Sequence, residues 1–275
     1  MNPQAAFNEA FATPEGFSRT LGVLTAGGDA ALSEARIVKF TTPINEETAR
    51  RWLPPGLSPT SPARATLFIA HYPITSFGVS YRESGLLLHA EKNGQEVTHC
   101  AWMVVDNDTA MILGRELFGF PKRLATIEMD LDGGKARGRV ERRGAEVLSI
   151  EAEPIAPTQN AHPFALPIIN TWGPPGPFPG FLLRMNVTDR LRQGWRARLK
   201  VRVGGGPFDP LGELGIGTRE LEGETMISDI AVPPQRPSGN GRASLRELMN
   251  IARNFGVSGI VSPRWLVEKM PFRFW

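Results

Sequence analysis

The chain has 275 residues, 41% of them hydrophobic, and its 31 basic and 28 acidic side chains give a formal charge of +3. That is enough apolar material for one large β-rich domain or two small ones, while a charge so slight and dispersed argues against nucleic acid as a partner and leaves a small anionic ligand as the milder inference. Cys100 is the only cysteine, which excludes an intrachain disulfide and a four-thiolate metal site and fits a reducing compartment.

The start, "MNPQAAFNEAF", lacks the basic opening and continuous apolar run of a secretory signal, and no stretch is long and apolar enough to span a bilayer. A cytoplasmic protein without membrane contact is the expectation. Residues 1–33 show no sustained period and read as a leader or arm. A short helix is expected over 46–53, where Asn45 can cap "EETARRWL" and Pro54 and Pro55 stop it. Strand signals follow in "TLFIAHY", "GLLLHAEK", "EVTHCAWMVV", "AMILG", "TIEMDLD", "KARGRVERR" and "AEVLSIEAE". Turn formers separate them at Asn93-Gly94, Asp106-Asn107-Asp108, Gly133-Gly134 and Gly144. This spacing predicts an antiparallel meander that closes or curls on itself. The proline-rich run 154–180 reads as a long irregular linker or lid. Strand signals return in "FLLRMNV", "RARLKVRV" and "TMISDIAV", and 244–255 has helical spacing between Ser244 and Gly256. The expected organisation is a leader (1–33), a β domain (34–236) and a C-terminal helix and tail (237–275).

The segment "GRELFGFPKRLA" (114–125) sets a lysine among apolar neighbours. Phe120 precedes a proline and is pushed to extended geometry, and Pro121 fixes its own φ, so Lys122 sits on a stiffened backbone. A free lysine is only about one part in 2,500 neutral at pH 7, so a nucleophilic amine needs help from its surroundings. Desolvation in an apolar pocket is one source, and repulsion from the Arg123 guanidinium is another. In an extended strand the two side chains project to opposite faces, which makes burial the larger effect. The bland alternative is a solvated Lys-Arg pair protecting a β edge.

"GREL", an aromatic, Pro and Lys in this order resemble the active-site segment of the acetoacetate decarboxylase-like superfamily, for which a lysine activated by desolvation or a neighbouring cation is the known pattern. The similarity runs from "YRESG" (81–85) through "VDNDTAMILGRELFGFPKRLA", with Glu83 standing 39 residues (122 minus 83) before the lysine, and a second block covers 196–233. The resemblance implies a mainly β (α+β) fold, an antiparallel β cone or barrel with a few peripheral helices, assembled as a homo-oligomer. It implies that Lys122 forms an iminium, that Glu83 orients the amine or shuttles protons, and that Arg123 stands where the best-known members carry a second lysine. Arg115 and Glu116 match as a pair that braces the loop. A second family glutamate falls on Phe68, which puts strict acetoacetate specificity in doubt. For the substrate carboxylate Arg36 is the nearest candidate and Arg82 the fallback, with Phe68, Phe118 and Phe120 expected against the substrate as pocket wall.

The implied reaction is decarboxylation of a small β-keto acid without metal or organic cofactor. Two other readings stand beside it: an aldolase–dehydratase condensing a 2-oxo acid such as pyruvate with an aldehyde, and a non-catalytic β barrel binding a small apolar molecule. Gly204-Gly205-Gly206 lacks the helix start of a phosphate loop, and His71, His89, His99 and His162 lack metal-ligand spacing.

Overall fold

The computed structural model describes residues 30–172, 180–206, 208–233 and 236–241. In chain order these give β1 (Ala30–Pro43), α1 (Glu46–Trp52), β2 (Ser58–Pro59), β3 (Arg64–Tyr72), β4 (Ile74–Thr75), β5 (Tyr81–Lys92), β6 (Gln95–Val105), α2 (Asp108–Phe118), β7 (Lys122–Leu124), β8 (Thr126–Asp132), β9 (Lys135–Arg142), β10 (Ala145–Pro157), β11 (Ile168–Trp172), β12 (Gly180–Met185), β13 (Thr188–Val203), β14 (Thr218–Val232) and β15 (Arg236–Gly241). The strands join one sheet in the order β15-β12-β11-β6-β5-β3-β1-β14-β13-β10-β9-β8, with β2 on β5, β4 on β1 and β7 on β6. Pairing is antiparallel except for β7 and β11, which both run parallel to β6.

The turn chemistry is read directly in the backbone. Asn93 and Gly94, Gly133 and Gly134, and Arg143 and Gly144 all have positive φ, as two-residue hairpin turns matched to the twist of their strands require. These hairpins produce the expected meander, but the sheet curls without closing: its ends, β15 and β8, stay unpaired with each other among the described residues. The β8–β9 end returns over β3, where a methyl built on Gly138 would stand 2.8 Å from Ile69 Cδ1.

Curling encloses a core of Phe40, Leu67, Ile69, Leu86 and Trp102 against Val140, Leu148, Ile150, Leu199 and Val201. The opposite face of the central strands carries a second core that includes Ile37, Phe68, Ala70, Tyr72, Tyr81, Leu87 and Met103. Strands β3, β5 and β6 are therefore covered on both faces, which is why consecutive residues along them are buried, whereas β8 and β9 alternate between buried and more exposed positions.

Several expectations change. Strand β1 begins at Ala30, inside the span assigned to the leader. "AMILG" is helical: the Asn107 side chain accepts from the Ala110 N–H at 3.0 Å, so the Asp-Asn-Asp cluster caps α2 instead of turning a hairpin. The proline-rich run contains β11, whose only pairing to β6 is Ile168 with Thr98. Strand β15 occupies the start of the expected tail, and the helix proposed over 244–255 lies outside the described residues. Helix α1 forms as expected, with Asn45 accepting from the Thr48 N–H at 2.9 Å. No helix among the described residues is long and apolar enough to cross a membrane.

Candidate active site

Lys122 owes its position to how α2 ends. Gly119 takes a left-handed conformation (φ 62°), open to a residue without Cβ. Its N–H returns to Arg115 O, and that of Phe120 to Gly114 O at 3.0 Å. Pro121 then directs the chain into β7, where Lys122 pairs with Met103 and Arg123 with Val104. Successive side chains of a strand point to opposite faces, so the lysine enters the second core and the arginine the first.

Lys122 is 6% exposed and Glu83, presented by β5, is 4% exposed. Lys122 Nζ stands 2.6 Å from Glu83 Oε2, forming a buried ion pair. The other carboxylate oxygen accepts from Tyr72 O–H at 3.4 Å. The ammonium lies 5.1 Å from the Tyr81 ring centroid and 5.7 Å from that of Phe120, within reach of cation–π attraction. Burial, and then the Glu83 charge, hold both phenols well above the ordinary tyrosine range, so they remain protonated donors.

These groups line a cavity of about 70 Å³, room for several water-sized groups. Met103, Leu113, Phe118, Phe120, Phe164 and Ile168 supply much of its wall, and Lys122 and Glu83 are the only charged side chains among the described lining residues. Gly114 brings the backbone of α2 against the lysine stem: a methyl built there would lie 2.4 Å from Lys122 Cδ and 2.5 Å from Cε. Asn170 braces the same helix end, donating to Phe118 O at 3.2 Å while accepting from the Cys100 N–H.

Other residues singled out in the sequence go elsewhere. Arg123, 3% exposed, faces the first core, with Nη2 3.1 Å from Asp209 Oδ1 and Nη1 donating to Phe208 O. Asp209 also accepts from Trp102 Nε1 at 2.8 Å and Arg142 Nη1 at 2.6 Å. Burial lowers the Arg123 pKa to about 10 against the opposing pull of Asp209. Its charge is thus directed at Asp209, a carboxylate it shares with Arg142, and turned away from the cavity. Arg82 neighbours Glu83 on β5 and so points the other way, pairing with Asp106 at 3.2 Å. Arg36 is exposed between the buried Ala35 and Ile37. Neither arginine lines the cavity. Phe68 stands behind the wall, where its ring takes the space a side chain at Gly85 would need and meets Phe164 edge-on at 5.7 Å. Arg115 is half-buried on α2, and the Glu116 side chain lies outside the described residues.

Sequence reasoning missed Tyr72, Tyr81, Gly114 and Asn170 as contributors to this site. Strand parity could have flagged Tyr81, two residues before Glu83 and on the same face.

The family model described as "Acetoacetate decarboxylase (ADC)" matches residues 23–236. The chain belongs to the acetoacetate decarboxylase family. A curated acetoacetate decarboxylase of Burkholderia ambifaria strain MC40-6 is 32% identical over 145 residues, which cover 50% of this chain and 58% of the relative. The chain therefore aligns with little more than half the length of that relative. Among solved structures, acetoacetate decarboxylase from Legionella pneumophila shares the fold at a TM-score of 0.67 and 15% identity, over 78% of this chain and 88% of its own. The enduracididine biosynthesis enzyme MppR, solved with the condensation product of pyruvate and imidazole 4-carboxaldehyde, superposes at a TM-score of 0.62 and 18% identity, over 82% and 93%. At such identities these acetoacetate decarboxylase-like structures establish a common architecture.

Proposed function

We propose that this acetoacetate decarboxylase family member is a lyase that decarboxylates a β-keto acid through an iminium on Lys122. The observation that carries the reading is the Lys122–Glu83 contact of 2.6 Å at the end of an apolar cavity. To attack a ketone the amine must give up a proton, and Glu83 is placed to take it. Neutral Lys122 adds to the ketone carbon, and Glu83 gives the proton it took to the departing hydroxyl, so that water leaves and a protonated imine remains. The bond to the carboxylate then breaks, its electron pair flows into the imine to give an enamine, and carbon dioxide departs. A proton from water, relayed by Glu83, goes to the enamine carbon; the hydroxide that remains adds to the imine carbon, and the adduct collapses to the ketone and the neutral amine.

The environment favours the step that loses charge. With no cation other than Lys122 among the described lining residues, a substrate carboxylate is stripped of water beside Glu83, and that cost vanishes when neutral carbon dioxide leaves. The same imine could serve aldol addition, but among the described lining residues no polar group away from Lys122 stands ready to hold an aldehyde oxygen. The buried, unpaired Cys100 suits a cytoplasmic enzyme, and a homo-oligomer is the assembly we expect. Incubation with acetoacetate and borohydride, followed by peptide mass spectrometry, should place a reduced adduct on Lys122. An unmodified Lys122 after full exposure to substrate and reductant would defeat the proposal, and condensation products from pyruvate and aldehydes without carbon dioxide release would redirect it.

A further inference from the structure

The cavity extends well beyond the lysine. Glu83 pairs with Ala70, and Ala70 with Ile37 of β1, so these three residues share one row of the sheet. Leu32, another lining residue, lies five positions along β1 from Ile37, one of which is absorbed by the bulge between Leu32 and Ala35. Four strand steps separate the Leu32 row from the Glu83 row by roughly 13 Å. Ala30 and Val232, paired with each other across β1 and β14, lie further along, and Phe77 and Val187 join them in lining the cavity. Among the described lining residues this distal end is therefore apolar, while the ionisable ones gather around Lys122.

We infer that the substrate carries an apolar substituent of several carbons on its ketone carbon, running from Lys122 toward Leu32 and Val232, and that these two residues set chain-length preference. The inference rests on the iminium reading of Lys122. Acetoacetate presents only a methyl group there and would leave the distal hydrocarbon walls facing water. Each methylene transferred from water to those walls should raise kcat/KM roughly fourfold. A charged or hydroxylated substituent would find no partner among the described residues of that end.

The test uses the full-length protein and two homologous series. Straight-chain 3-oxo acids from acetoacetate to 3-oxodecanoate are assayed for carbon dioxide release. Methyl ketones from acetone to 2-nonanone are assayed with borohydride for labelling of Lys122, which reports imine formation without decarboxylation. Both efficiencies should climb with chain length over at least three methylenes, on the order of fiftyfold in total. Val232→Asp should collapse the 2-heptanone to acetone labelling ratio toward one, and Val187→Asp provides a second variant if the first does not fold. Equal labelling by acetone and 2-heptanone in the unaltered protein, or a ratio unmoved by either folded variant, would overturn the substrate class and leave the iminium reading standing. Failure of every ketone to label Lys122 would remove both.

Discussion

Gly114→Ala tests whether the lysine works because of where it is held. The added methyl would lie 2.4 Å from Lys122 Cδ, 2.5 Å from Cε and 3.0 Å from Nζ, whereas carbon atoms in contact settle at about 3.5 to 4.0 Å. The backbone at Gly114 is ordinary helix, and there alanine is favoured over glycine by about 1 kcal/mol. The substitution thus suits α2 and displaces only the stem resting on it. Clearing the clash moves the stem by about 1 Å, enough to break the 2.6 Å approach to Glu83 and to cost about a hundredfold in turnover, or roughly 2.7 kcal/mol of barrier. Decarboxylation kinetics, the rate of borohydride labelling and a thermal melt would be measured on the same preparation. We expect turnover and labelling to fall together while the melting temperature shifts by only a few degrees. A folded variant retaining turnover within about threefold of the parent would refute the reasoning.

Glu83→Gln removes the proton acceptor while keeping the side chain's shape, and turnover should drop by about 10² to 10⁴; steady-state rates check this. Tyr72 and Tyr81 are the chain's only tyrosines, and their raised phenol pKa values mean that the folded state holds protons the unfolded chain releases near pH 10. Stability from this source is complete below about pH 10 and lost as pH rises above it, so phenolate absorbance should appear together with unfolding; its appearance in folded protein at about pH 10 would contradict the burial. Asp209→Ala leaves Arg123 and Arg142 buried without their carboxylate and should destabilise the fold by about 3 to 5 kcal/mol in denaturant titrations.

The hairpins were legible because positive φ at two adjacent positions restricts the residues that can sit there, and Asn93-Gly94 and Gly133-Gly134 announce it. Helix α2 was not, because "AMILG" is a short apolar run whose length cannot separate strand from helix, and the capping Asn107 lies in a cluster that also suits a turn. At the site, the motif pointed to Lys122 and Glu83, and strand alternation foresaw that Arg123 would leave the lysine's face. The same alternation, applied to Arg82 beside Glu83 and to Arg36 between two apolar neighbours, would have discouraged both as carboxylate ligands. Gly114 was quoted within the motif without a role, since only the close approach of two side-by-side elements reveals what the missing methyl makes room for.

Strand β7 fastens chemistry to the late part of the chain. Arg123 reaches a carbonyl 85 residues further on, and the aspartate beside it lies in the same loop, so the strand that carries Lys122 gains its anchor only after that loop has been synthesised. A growing polypeptide accordingly acquires a positioned amine late, and the wall residue Val232 follows later still.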